Sequence, residues 1–151
     1  MITIVTVGKK HDASLVDAIQ QYQQRLRAPW NVKWGILPHS SMNALRAVQE
    51  ESEHILKRIQ PSEYVILLDE NGLSVDSPTM SRVLEQQLAS SRHVTIVIGG
   101  AYGVSTALKE RADSSWSLSA LVFPHQLVRL ILIEQLYRAQ SIANHTRYHH
   151  D

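Results

Sequence analysis

A chain of 151 residues has the length of one ordinary domain, and at that size folding buries roughly 68–70% of the surface the open chain exposes. Its 44% hydrophobic and 19% charged residues exclude a disordered chain, and no long uncharged apolar run offers a membrane span. A formal charge of +1 names no partner, because nucleic-acid binders are marked by clustered Lys and Arg more than by their sum; the lack of cysteine excludes disulfides, thiolate nucleophiles and cysteine-based zinc sites.

Residues 2–7 alternate and are β-branched, so the apolar start reads as a strand rather than a signal peptide, and a soluble cytoplasmic protein is expected. Gly8-Lys9-Lys10 breaks the run. Leu15, Ile19, Tyr22 and Leu26 follow at helical spacing, with Pro29 as the stop. Val32 to Leu37 suits a second strand, and Pro38 to Asn43 leads into a polar helix ending near Ile59. Tyr64 to Leu68 is a continuous apolar run of the kind buried on both faces of a sheet. Ser77 and Pro78 read as the cap and first turn of a helix running to about Ala89. Val94 to Ile98 is the next buried strand, Gly99 to Gly103 ends it, and Ser105 to Arg111 allows one or two helical turns. A last helix spans Pro124 to about Ala143. Strands alternating with helices, two of them apolar throughout, predict an α/β protein of one domain with a parallel or mostly parallel sheet covered on both faces.

Ligands of such sheets gather beyond the carboxyl ends of the strands, which singles out the loops Asp69 to Ser74, Gly99 to Gly103 and Ser117 to Pro124. Half of the six glycines lie in Gly99 to Gly103, which is either a small-molecule site or only a tight turn, and it matches neither of the common phosphate-loop patterns. The last helix carries Leu127, Val128, Leu130, Ile131, Leu132, Ile133, Leu136 and Tyr137, more apolar coverage than a surface helix shows. Either it is the core helix of a monomer, or a second copy covers it in a twofold homodimer, the reading favoured here. Arg129 and Arg138 fall on opposite faces of that helix and need separate explanations. Arg138 has Glu134 four residues before it, the order of an ordinary helix ion pair, or else it clamps an anion or a base. Three of the eight histidines crowd the tail with Arg147 and Tyr148, without a recognised metal spacing, so no metal is expected and the tail either is solvated or touches substrate.

Several blocks together carry a resemblance: Val97-Ile-Gly-Gly-Ala-Tyr-Gly103, Ser117-Leu-Ser-Ala-Leu-Val-Phe-Pro-His125, Val128-Arg129, Ile133-Glu134, Leu136-Tyr-Arg138 and Tyr148-His149. Val5 to Lys9, Tyr22 to Leu26 and Leu67 to Gly72 add to it, so it spans nearly the whole chain. The sequence resembles the bacterial methyltransferases that act on N3 of pseudouridine in large-subunit ribosomal RNA, members of the SPOUT or α/β-knot class. The resemblance implies a deep carboxy-terminal trefoil knot, a homodimer, and S-adenosylmethionine held by Leu68, Gly99, Leu118, Ser119, Ala120, Leu121, Val122 and Phe123. It also implies that Arg138, Tyr148 and His149 meet the RNA on the assembled ribosome, with His149 or His125 assisting proton removal. Two departures, Leu73 and the His150-Asp151 ending, remove positive charge where the family carries it. A SPOUT enzyme for another RNA such as transfer RNA, or a knotted dimer that binds RNA or protein without transferring methyl groups, are the alternatives.

Overall fold

The computed structural model describes residues 1–150. Its elements follow the chain as β1 (Ile2–Val7), α1 (Ala13–Gln23), β2 (Val32–Leu37), α2 (Ala44–Arg58), β3 (Tyr64–Ser74), α3 (Ser77–Ala89), β4 (Val94–Ile98), α4 (Thr106–Arg111), β5 (Ser114–Ser117) and α5 (His125–Ala143). The strands form one sheet in the order β2-β1-β4-β3-β5, and every pairing is parallel. Alternation along the strands divides the core in two. Ile2 and Ile4 of β1, Ile66 of β3 and Ile96 of β4 face Ile19 of α1, Leu84 of α3 and Leu132 of α5; Val5, Val65 and Val97 face Ile55 of α2 and Leu108 of α4. The connections through α1 and α3 step one way along the sheet on one face, and those through α2 and α4 step the other way on the opposite face, so all share one hand.

Local chemistry explains most of the boundaries. The side chains of Asn43, Asp76 and Ser105 each accept a backbone N–H three residues on, at 3.3, 2.8 and 3.2 Å, and so cap α2, α3 and α4. The cap of α3 is therefore Asp76, with Ser77 and Pro78 inside the first turn; Ser77 instead donates its hydroxyl to Gln135 of α5 at 2.6 Å. Helix α1 stops at Gln23, a turn earlier than the spacing of Leu26 predicts. There Arg25 and Leu26 donate to Tyr22 and Gln23 in tighter i to i+3 bonds, while Leu26 stays buried.

Two features depart further from the sequence reading. β3 continues through the segment expected as a loop: its pairing with β5 breaks after Leu68 opposite Trp116 and resumes at Leu73 opposite Trp116 and Ser74 opposite Ser117, so residues 69–72 bulge outward. β5 itself, Ser-Ser-Trp-Ser, carries no apolar alternation, and pairing with β3 makes it a strand. Gly72 lies against it so closely that a Cβ there would stand 2.7 Å from the Ser115 carbonyl carbon.

α5 fits between α1 and α3, and none of its residues is exposed. Leu132, Ile133 and Leu136 are wholly buried, and burial of such side chains contributes about 1.5–3 kcal/mol each. Among the described residues no helix is long and apolar enough to cross a membrane.

The contact at Gly72 yields a stability test. Gly72→Ala should cost about 1–3 kcal/mol by forcing β3 and β5 apart, read as a lower urea midpoint; an unchanged midpoint would show that the bulge absorbs a methyl group freely.

Candidate active site

The three loops singled out in the sequence meet beyond the carboxyl ends of β3, β4 and β5. They enclose a cavity of about 540 Å³ lined by Leu68 to Asn71, Gly99 to Val104, Trp116 to Ser119 and Leu121 to Phe123, with His125 and Val128 from α5 and Lys109 from α4. Of the residues implied to hold a cofactor, Leu68, Gly99, Leu118, Ser119, Leu121, Val122 and Phe123 line this cavity; Ala120 is exposed and does not. Gly99 leaves its backbone open because Val104 occupies the space of a side chain: a Cβ would lie 2.7 Å from its Cγ1. The loop after β5 is braced internally. Ser117 donates its hydroxyl to the Ser119 carbonyl at 3.1 Å, and the Leu121 N–H donates to the Ser119 hydroxyl at 2.9 Å.

His125 ties the first turn of α5 to the glycine turn by donating from Nε2 to the Gly99 carbonyl. That bond leaves the lone pair of the neutral ring on Nδ1. Burial, followed by the positive charges of Arg129 and His39, holds the His125 pKa below 6.5 against the opposing effect of the Gly99 bond, so the ring is neutral near neutral pH.

The tail builds a second cluster around Glu134. Arg138 donates from Nε and Nη2 to Glu134 Oε1 at 2.9 and 2.7 Å, and Tyr148 donates its hydroxyl to the same oxygen at 3.4 Å. The helix ion pair expected from the spacing thus exists. Beyond it, Arg138 Nη1 donates to His149 Nδ1 at 3.2 Å, which in a neutral ring puts the remaining hydrogen on Nε2. The Arg138 guanidinium lies 4.9 Å from the centre of the Tyr148 ring, and Tyr148 meets Tyr137 edge-on at 4.7 Å. Burial, with the Tyr22 hydrogen bond and the Glu134 charge behind it, pushes the Tyr148 phenol up to about 12. It is a hydrogen-bond donor at neutral pH and no base.

The two clusters adjoin through Leu118. That side chain lines the main cavity and also a smaller hollow of about 370 Å³ that includes His149, Ile131 and the start of α3. The structure therefore groups Arg138, Tyr148 and His149 at the tail and sets His125 with the cavity. The sequence reading missed Val104 and Lys109, whose only signal was the short helix starting just after the glycine turn, and it gave Arg129 no environment. Among the described residues there is no group of three or more His, Cys, Asp or Glu able to hold a metal ion.

This geometry accompanies a family match over residues 1–149 to the model described as "Predicted SPOUT methyltransferase", and the chain belongs to that family. It is similar to proteins named "Ribosomal RNA large subunit methyltransferase H". The one from Parabacteroides distasonis is 36% identical over 155 residues, covering 99% of both chains, and one from Desulfitobacterium hafniense is 39% identical over 156 residues, covering 98% of both. The SpoU methyltransferase AviRb from Streptomyces viridochromogenes, solved in complex with AdoMet, overlays with a TM-score of 0.48 at 13% identity, over 96% of this chain and 58% of that one.

The depressed histidines predict an acid limb in stability. His11, His93 and His125 all have folded pKa values below 6.5, with burial the largest cause, so the unfolded chain takes up protons that the folded chain refuses. Stability is present above pH 6.5 and is lost as pH falls through the folded values. Urea unfolding between pH 7.5 and 5 should show this loss, and His125→Gln should reduce its slope; an unchanged slope would remove His125 from the account.

Proposed function

We propose that this chain, as a single domain over 1–151, is a cytoplasmic enzyme that transfers a methyl group from S-adenosylmethionine to N3 of a pseudouridine in large-subunit ribosomal RNA on the assembled ribosome. The observation that carries the reading is the meeting of the loops after β3, β4 and β5 around one cavity in a chain of the SPOUT methyltransferase family. The names of the relatives supply the substrate class.

The cavity fits the cofactor. Its volume lies in the roughly 300–1,000 Å³ range of small-molecule sites. Leu68, Leu118, Leu121, Val122 and Phe123 offer apolar walls, and Gly99 with Ser119 offers backbone groups without bulk. Bound there, S-adenosylmethionine supplies an electrophilic methyl carbon on a sulfonium that leaves as a neutral thioether. A carboxy-terminal trefoil knot belongs to the same reading. To reach Gly99 from the edge strand β5, residues 118–124 must pass across the end of β3, beside the bulge at 69–72.

The protein's task is to hold the N3 nitrogen in line with the methyl carbon and to accept its proton. Orientation is worth about 7–11 kcal/mol and a general base roughly 10²–10⁴-fold. Arg138, with His149 beside it, is suited to the carbonyl oxygens of the base or to a neighbouring phosphate, and Tyr148 offers a ring face. Of the two histidines, His125 is the proton acceptor, because its Nδ1 keeps a lone pair while His149 Nδ1 already accepts from Arg138. The transfer as written requires no metal.

A homodimer completes the site. Leu73, Tyr102, Leu121 and Val122 around the cavity are 70–85% exposed, an apolar rim that a second copy would cover. Sedimentation equilibrium should give twice the chain mass.

Two measurements test the chemistry. Arg138→Ala should keep cofactor affinity, by calorimetry, while methylation of ribosomes falls about 10²-fold or more; unchanged transfer would remove Arg138 from the site. His125→Ala should lower kcat by about 10²–10⁴-fold and abolish the acid limb of kcat/KM below about pH 6.5. Folded protein that binds no S-adenosylmethionine would favour the non-catalytic dimer, and methylation of transfer RNA in place of ribosomes would move the target.

A further inference from the structure

One buried charged side chain lies outside the machinery just described. Arg129 is fully buried, and among the described residues its Nε and Nη2 atoms have no hydrogen-bond partner. Nη1 donates to His11 Nδ1 at 3.2 Å, and among the described residues no carboxylate pairs with the guanidinium. Burying a cation without a directly paired counter-charge is as unfavourable as breaking a buried ion pair. A fold that needed only packing here would carry leucine or methionine.

The surroundings say what the charge awaits. Arg129 Nη2 faces the turn after β1, where a methyl built on Gly8 would stand 3.7 Å from it and 3.0 Å from His39 Nε2. The Thr6 hydroxyl, two residues earlier on β1, is likewise buried without a hydrogen-bond partner among the described residues. His39 covers the spot with a side chain that is 57% exposed and approaches Glu51 at 4.0 Å. Lys9 and Lys10 follow Gly8 on the same turn, both exposed. Asp12 acts on Arg129 only at longer range, and His11, whose pKa burial and Arg129 lower, is a neutral acceptor rather than a counter-ion. The whole lies beyond the carboxyl end of β1, one strand from Gly99, and reaches His125 through the first turn of α5.

We propose that Arg129, with Thr6 and the turn at Gly8, forms an oxyanion subsite in which a phosphate of the RNA strand displaces His39 and completes the guanidinium's hydrogen bonds. A planar fork with two unused edges is suited to two phosphate oxygens, and Lys9 and Lys10 extend the positive surface outward as a polyanion requires. The assignment to RNA rests on the proposed methylation of ribosomal RNA; the oxyanion subsite does not. The carboxylate of the cofactor's methionine end has the same chemistry and is the other source to be tested.

The experiment compares wild type with Arg129→Met. Free protein is melted in inorganic phosphate against chloride at matched ionic strength. Wild type should gain Tm saturably with phosphate; Arg129→Met should melt at or above wild type in chloride and show no phosphate response. In methylation of ribosomes, the variant should raise KM for the RNA substrate about tenfold or more while the cofactor Kd changes less than about twofold, the scale of one or two charge-assisted hydrogen bonds. A tenfold weaker cofactor Kd with unchanged RNA KM would assign the subsite to the methionine carboxylate and overturn the phosphate source. An equal phosphate response in both proteins would overturn the subsite itself, whether or not either protein methylates ribosomes. Should Arg129→Met not fold, Arg129→Lys retains the charge without the fork, and a phosphate response equal to wild type would count against the proposal in the same way.

Discussion

The working end of the molecule depends on how α5 is held. The helix lies between α1 and α3 with no exposed position, and Leu132, Ile133 and Leu136 close against the isoleucines of β1, β3 and β4. At about 1.5–3 kcal/mol for each such side chain, these three outweigh any single polar contact at either end of the helix. Burial therefore fixes the helix, and the helix fixes the chemistry. At its start His125 reaches Gly99 beside the cavity; three turns on, Glu134 and Arg138 gather Tyr148 and His149. Neither cluster has to be ordered by a loop of its own.

The same helix carries two arginines in opposite electrostatic conditions. Arg138 has its charge met by Glu134 and its face covered by Tyr148, and the carboxylate raises its pKa above the usual value. Arg129 has its charge buried, hydrogen-bonded to a neutral histidine with Asp12 acting only at longer range, and its pKa lowered by desolvation. A paired guanidinium is stable in the resting protein and presents a fixed donor; an unpaired one stores an unfavourable interaction that an incoming anion relieves. The first arrangement positions, whereas the second selects for negative charge.

Legibility in the sequence followed the physics of each element. β1, β4 and the core of β3 were readable because burial on both faces demands continuous apolar runs, and α5 because its apolar residues cover more than one face. β5 was not readable, since Ser-Ser-Trp-Ser becomes a strand only through its partner β3, and the extension of β3 past Leu68 depends on the same pairing. The loops around the cavity were readable from strand ends and glycine, and the helix pair of Glu134 with Arg138 from spacing alone. What pattern could not give was which groups share a neighbourhood. Leu118 bordering both hollows, and Arg129 lying under Gly8 and His39, join residues far apart in the chain. The individual cofactor and tail residues came from resemblance to a family, since no periodicity separates Leu118 from Leu127.

The hydrogen bonds of two histidines order the proposed chemistry further than the residue types do. Each ring has one nitrogen committed within the fold: His125 donates from Nε2 to a carbonyl, and His149 accepts at Nδ1 from a guanidinium that cannot give up its proton. The first commitment leaves a lone pair on His125 Nδ1, and the second fixes the His149 tautomer with its hydrogen on Nε2. Methyl transfer to an imino nitrogen needs a proton acceptor and oriented donors, because the nitrogen must lose a proton while the adjoining carbonyl oxygens take on negative charge. The lowered pKa of His125 keeps its lone pair available at neutral pH, and the same lowering makes it a weaker base. A weak base beside a strongly oriented acceptor places most of the rate in alignment, which is where a rigid, fully covered α5 contributes most.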